Sequence, residues 1–136
     1  MIVLDEQLLG ANLEQAIGKW YQGNVCFITD LRPNSIIKDE AIPMLLRKEA
    51  QPTFITINER DFWRKVAISE YFCIVCFNLP DSRASEISLL LRNLFRHPEF
   101  NIKAKRMGKV IRIADSSVSY YSTGNREIQE FTLQIQ

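Results

Sequence analysis

Glycine is scarce in this chain: five residues in 136, none of them clustered. Phosphate cradles need closely spaced glycines so that backbone amides can approach the ligand. No P-loop, dinucleotide fingerprint or Gly-x-Ser-x-Gly elbow is present, and a nucleotide cofactor is not expected. Histidine is scarcer still. His97, the single one, precedes Pro98 after a helical apolar stripe, where a side chain serves the last carbonyls of a helix. A histidine base is therefore not expected. The three cysteines, Cys26, Cys73 and Cys76, cannot all pair within one chain, and each sits in an apolar run. That fits reduced thiols in a core. Cys73-x-x-Cys76 has only Cys26 and His97 left to complete a zinc site, which needs a second ligand pair. It also lies inside a strand, where an odd offset puts the two thiols on opposite faces, rather than at the helix start typical of redox pairs.

Net charge of one sign is also missing. Seventeen Lys and Arg against sixteen Asp and Glu leave +1, so any polyanion would have to use a local patch. No uncharged apolar run approaches the roughly 18–20 residues that span a bilayer. The N-terminus carries no basic segment followed by an apolar one, because Asp5 and Glu6 interrupt it at once. The expectation is a cytoplasmic protein with no membrane contact. Hydrophobic residues at 46% and charged residues at 24% are ordinary for one globular domain covering 1–136.

The order of apolar runs is informative. Ile2-Val3-Leu4, Val25 to Ile28, Thr53 to Ile57 and Phe72 to Phe77 read as short buried strands, the last so uniformly apolar that it must be covered on both faces. Between them, helical spacing runs from Leu8 to Trp20, from Lys38 to Ala50 (Ile42, Leu45 and Leu46 buried, Pro43 near the start), and from Arg60 to Ser69. Ser82 to Phe95 is the clearest helix, with Ile87, Leu90, Leu91, Leu94 and Phe95 opposite Arg92 and Arg96. Such alternation predicts an α/β fold over 1–98, a mostly parallel central sheet flanked by helices. Residues 99–136 differ. Val110 to Ile113, a turn at Asp115-Ser116-Ser117 and Val118 to Tyr121 read as a C-terminal β-hairpin, and Phe131 to Ile135 as an edge strand.

Carboxylates gather where strands stop. Asp5 and Glu6 follow the first strand, Asp39 and Glu40 open the second helix, and Asp61 follows the third strand. Singly, Asp39 suits a helix first turn and Asp61 an N-cap. Together they predict convergence on one sheet edge, since ligand sites in open parallel sheets lie at the carboxyl ends of strands. Crowded carboxylates repel unless a cation compensates them. An oxygen-only donor set suits Mg²⁺ or Mn²⁺, and such an ion serves phosphodiester hydrolysis by acidifying water and stabilising developing charge.

Leu4-Asp5-Glu6, Asp30-Leu31, Asp39-Glu40-Ala41-Ile42, Thr56 to Phe62, Leu79-Pro80-Asp81-Ser82-Arg83 and the segment Lys109 to Tyr121 occur in an order that resembles the PIN-like nucleases. More narrowly, the chain is similar to small bacterial PIN-like proteins often encoded beside an antitoxin-like partner. The resemblance implies a metal-dependent ribonuclease, possible toxin of a two-gene pair, with Asp5, Asp39 and Asp61 as catalytic acids and metal ligands. Glu6, Glu40 and Asn58 are then alternative or outer ligands. It also implies a homodimer, for which the run Leu89-Leu90-Leu91 supplies surplus apolar surface. The family commonly carries Thr-x-Asp-x-Asp-Phe; this chain has Asn58 for the first aspartate and one extra residue. Asparagine can ligate through its carbonyl but brings no charge, which leaves a second expectation open: a non-enzymatic protein- or nucleic-acid-binding module on the same fold.

Lys103, Lys105, Arg106, Lys109 and Arg112 form the one basic cluster along the chain, with Arg92 and Arg96 as candidates to join it. Read functionally they contact RNA phosphates, and one ring of Tyr120-Tyr121 faces outward to stack a base. Read plainly they are a solvated surface.

Overall fold

The computed structural model describes residues 1–133. Seven strands form one sheet in the order β2-β1-β3-β4-β5-β6-β7. They are β1 (Ile2–Leu4), β2 (Val25–Phe27), β3 (Thr53–Thr56), β4 (Cys73–Phe77), β5 (Lys109–Ala114), β6 (Ser117–Ser122) and β7 (Gln129–Thr132). The first five are mutually parallel, whereas β5–β6 and β6–β7 pair antiparallel. Residues 1–98 thus supply four parallel strands, and β5 extends the parallel part.

Why the central strands read as uniformly apolar is plain from their burial. β1, β3 and β4 have no exposed residue, so both faces must be filled. Ile2, Leu4, Ile55, Cys73, Val75 and Phe77 face one core, shared with helices α1 (Leu13–Gly18) and α5 (Ile87–Arg96). Val3, Phe54, Ile74 and Cys76 face the other, with α2 (Ile28–Leu31), α3 (Ile42–Arg47) and α4 (Glu59–Phe62). Cys73 and Cys76 lie on opposite faces, and burial pushes the Cys73 thiol up to about 12. Trp20 donates its indole N–H to Ser88 Oγ at 2.9 Å, tying the segment after α1 to α5.

The helices are shorter than periodicity predicts, each for a local reason. The stretch from Leu8 to Trp20 is broken by Gly10 at φ +86° and Asn12 at φ +56°, leaving a 3₁₀ turn at Glu6–Leu8 and then α1. Asp39–Ala41 is likewise a 3₁₀ turn, and Pro43 falls within the first two positions of α3, where its missing N–H costs no helical bond. The largest correction concerns Arg60 to Ser69. α4 ends at Phe62 because Trp63 turns extended to pack edge-on against Tyr121, and Arg64 at φ +60° donates its N–H to the Tyr121 hydroxyl at 3.1 Å. Two further short helices, α2 and α6 (Lys103–Arg106), form where the sequence analysis places none, and α2 takes Ile28 from the expected second strand. The edge strand runs over Gln129–Thr132, earlier than predicted; the expected Gln134 and Ile135 lie outside the described residues.

His97 caps α5: its N–H donates to Leu94 O, its Nδ1 accepts from the Glu99 N–H at 3.1 Å, and its ring stacks on Phe131. No helix among the described residues is long and apolar enough to cross a membrane.

Parallel pairing has one consequence for chemistry. β1, β2, β3, β4 and β5 all end at the same edge of the sheet, so the residues that follow them meet there.

Candidate functional site

Asp5 leaves β1 at that edge with its N–H still bonded to Ile55 O at 2.9 Å, which continues the β1–β3 ladder by one residue. The side chain is 4% exposed, and its Oδ2 accepts from Thr56 Oγ1 at 2.6 Å. Thr56 is the last residue of β3, fully buried, and its hydroxyl oxygen also accepts from the Asn58 N–H at 2.9 Å. Asn58 then caps α4, its Oδ1 accepting from the Asp61 N–H at 3.3 Å. Its Nδ2 donates to Asp61 Oδ2 at 2.7 Å and to Asp39 Oδ2 at 3.3 Å. Asp39 arrives from a separate element, the 3₁₀ turn before α3. An unbroken chain of hydrogen bonds therefore joins Asp5, Thr56, Asn58, Asp61 and Asp39, drawn from three segments of sequence.

Asn58 matters most in this arrangement. Its two amide hydrogens lie between two carboxylates, and so relieve repulsion that would otherwise push them apart. The N-cap of α4 is Asn58, with Asp61 one turn in, so the capping chemistry expected of Asp61 belongs to its neighbour.

The charges at the site are unequal. Burial raises the Asp39 carboxyl from its ordinary 3.8 to about 6, helped by the hydrogen bond shared with Asp61 and by the negative charges of Asp5, Asp61 and Glu40. Asp61 moves the other way, held ionised first by the Asn58 amide and then by its bond with Asp39, with Arg60 and Lys65 adding positive charge. The pair thus titrates as one coupled site, with Asp39 the first of the two to take up a proton as pH falls toward 6. Burial also raises Asp5, against the opposing pull of the Thr56 hydroxyl and the backbone N–H groups of Glu6 and Gln7. Among the described residues none of these three acids is in a salt bridge.

A cleft of about 570 Å³ opens beside Asp39 and Asp61, bounded by Glu40, Phe62 and Lys65. A second, of about 440 Å³, is lined by Asn58 together with Gln7, Glu59, Arg60 and Asp81. Glu59 is paired with Arg112 at 2.8 Å.

The carboxylate oxygens fit a hard divalent cation in kind, with unneutralised negative charge, whereas Asn58 turns its amide N–H, not its carbonyl, toward them. Their placement holds them short of a closed ligand set. Among the described residues no three His, Cys, Asp or Glu side chains stand close enough to hold an ion. Asp39 and Asp61 meet across Asn58, while Asp5 is held back against Thr56. Glu6, on the exposed 3₁₀ turn after β1, reaches the group only as a repelling neighbour of Asp5; Glu40 lines the larger cleft.

The basic residues are not gathered as their sequence proximity suggests. Arg106 is 5% exposed, with Nη1 donating to Phe100 O at 2.8 Å and the guanidinium 3.9 Å from the Phe95 ring centroid. That corrects its reading as part of a solvated surface. Lys105 Nζ bonds to Pro98 O and Lys109 Nζ to Glu99 O, while Lys103 is exposed. These four precede or open β5, at the edge opposite the acids. Arg112 alone lies near the acids, through Glu59. Tyr121 is buried and Tyr120 half-buried against Phe100 and Phe131.

Thr56 and Lys65 join the candidate site although the sequence analysis gives neither of them a role. Thr56 carries a signal, a hydroxyl at the end of an apolar strand; Lys65 carries none. No protein-family model, curated protein or solved structure matches the chain.

Proposed function

We propose that the chain is a PIN-like, Mg²⁺- or Mn²⁺-dependent endoribonuclease acting on single-stranded RNA at the edge that carries Asp5, Asp39 and Asp61. The observation that carries this reading is the wiring of those three acids, from three elements, through Thr56 and Asn58 at the carboxyl ends of parallel strands. The mostly parallel sheet followed by antiparallel β6 and β7 is compatible with a PIN-like fold and its C-terminal hairpin.

Asp39 and Asp61 would hold the cation, with Asp5 completing the set and Glu6, Glu40 and Asn58 as outer or alternative ligands. The bound ion supplies a water acidified toward neutrality and positive charge for the phosphorane-like transition state. The rest is work for the chain itself. Thr56 fixes the Asp5 carboxylate in one rotamer, and Asn58 keeps Asp39 and Asp61 at a spacing that mutual repulsion would otherwise widen. Lys65 borders the same cleft and balances the charge of an incoming phosphate. A homodimer is part of the proposal, with the exposed Leu89 of α5 among the surfaces available to a second copy, as are an antitoxin-like protein partner and a cytoplasmic setting.

The test is cleavage of single-stranded RNA by the purified full chain with Mg²⁺ or Mn²⁺, against EDTA and against Asp5→Asn. Metal-dependent product that disappears in the variant is the expected result. RNA left intact with either metal refutes the enzyme. The second reading, a binding module with a degenerate metal site, is favoured by one observation: Asn58 already occupies the space between Asp39 and Asp61 with a neutral donor. RNA or protein binding without cleavage would establish it.

A further inference from the structure

The edge opposite the acids carries a cleft of its own, of about 410 Å³, between the ends of α1 and α5. Its wall contains four cations, Lys19, Arg92, Arg96 and Arg106, and no carboxylate among the described residues. Trp20 and Phe95 line it as well, half-buried and packed edge-on at 5.9 Å. The four cations come from three segments, after α1, in α5 and in α6, and none of them is ion-paired among the described residues.

We infer that this cleft binds a phosphomonoester, either a free mononucleotide or the terminal phosphate of an RNA strand.

Arg106 is the central observation. It is 5% exposed and its Nε has no hydrogen-bond partner, although Nη1 is satisfied by Phe100 O and the guanidinium plane lies over Phe95. A buried guanidinium without a counter-charge is costly and persists mainly where an anion compensates it. Burial depresses its proton affinity, and no carboxylate opposes that effect. Helix dipoles account for part of the charge, since Arg96 lies in the last turn of α5. Two helix C-termini contribute only about half a negative charge each. About three positive charges then remain without a partner among the described residues.

The chemistry of the ligand follows from the donors. Guanidinium forks match phosphate oxygens bidentately, and a dianion draws more from several cations than a single carboxylate does. The flanking rings give a planar base a surface on which to stack. The volume lies within the usual range for small-ligand sites, about 300–1,000 Å³. The cleft lies at the edge where the parallel strands begin, so it is independent of the acids and of the reaction assigned to them.

The experiment is calorimetric titration of the full chain in EDTA, which keeps any cation site silent. The probes are inorganic phosphate, adenosine monophosphate, and one short oligoribonucleotide with either a 5′-phosphate or a 5′-hydroxyl. Binding that requires the phosphate group is expected. Arg92→Gln and Arg96→Gln, both at exposed positions, should each weaken it about tenfold, the effect of losing one charge-assisted contact. Arg106→Lys should weaken it further by removing the fork, but a poorly folded Arg106 variant would leave the two exposed variants to decide. Preference for the 5′-phosphorylated strand over mononucleotide identifies a strand end as the ligand, and the reverse identifies the free nucleotide. Equal binding of phosphorylated and hydroxyl strands, unchanged affinity in the Arg92→Gln/Arg96→Gln double variant, or equally tight binding of poly-glutamate would overturn the inference.

Discussion

Replacing Asp39 by asparagine removes one charge from the acidic group while keeping an oxygen within reach of the Asn58 amide. In the metal-free protein the Asp39 carboxyl is raised to about 6 by burial, the shared hydrogen bond and its negative neighbours. A carboxyl raised on folding favours the folded state most when protonated. Its contribution is complete below the unfolded value near 3.8 and disappears as pH rises through about 6. Taken at face value the displacement corresponds to about 3 kcal/mol at 1.36 kcal/mol per pH unit. Asp39 is half-exposed and Asp61 is displaced the opposite way, so screening and sharing reduce this to about 1 kcal/mol. Asp39→Asn should therefore match the parent near pH 4 and exceed it by about 1 kcal/mol at pH 7.5, or roughly 3–5 °C in Tm for a domain of this size. Thermal melts of both proteins in EDTA across that range measure the difference directly. A variant less stable at pH 7.5, or a gap that does not change with pH, refutes the argument that these carboxylates repel. Mg²⁺ should raise the Tm of the parent and act less on the variant, through linkage to the folded state.

Asn58→Asp puts a third carboxylate where two donors now separate Asp39 and Asp61; the metal-free protein should lose about 1–2 kcal/mol at pH 7.5 in denaturant titration, and the Tm gained on adding Mg²⁺ should grow. An unchanged gain would argue against a cation at this site. Thr56→Val keeps the shape of a fully buried residue but deletes the hydroxyl that donates to Asp5 and accepts from Asn58, and should cost about 2 kcal/mol of unfolding free energy. Arg112→Ala breaks the half-buried pair with Glu59; urea unfolding should show a loss of about 1 kcal/mol, whereas no loss would mark the pair as solvent-screened. Cys73 and Cys76 are buried with both thiols pushed well up, so only Cys26 should react with a thiol reagent at neutral pH, and fast modification of all three would contradict the core assignment.

The local sequence determined the strands that matter most. Runs such as Cys73 to Phe77 are apolar at every position because both faces of a central parallel strand are covered, and that leaves a direct mark on composition. Acids placed after such runs could be assigned to the strand ends, and with them Asp5 and Asp61. Helix lengths were less legible. Periodicity from Arg60 onward suggests a helix, but Trp63 and Arg64 are committed to Tyr121, a partner 57 residues further along from Arg64. The role of Asn58 was hidden for the same reason: bonding to Asp39 depends on how the turn before α3 returns over the sheet.

Charge position was decided almost entirely by the tertiary structure. Lys103 to Arg112 read as one cluster along the chain, yet a parallel strand carries its sequence from one edge of the sheet to the other at about 3.3 Å per residue. Arg112 is thus drawn to the acidic edge and paired with Glu59, while Arg106 remains at the opposite edge beside Arg92, Arg96 and Lys19. Sequence lists which charges a strand carries. Which of them face one another is settled by strand direction and by where the crossover helices end, and neither is written in any single segment.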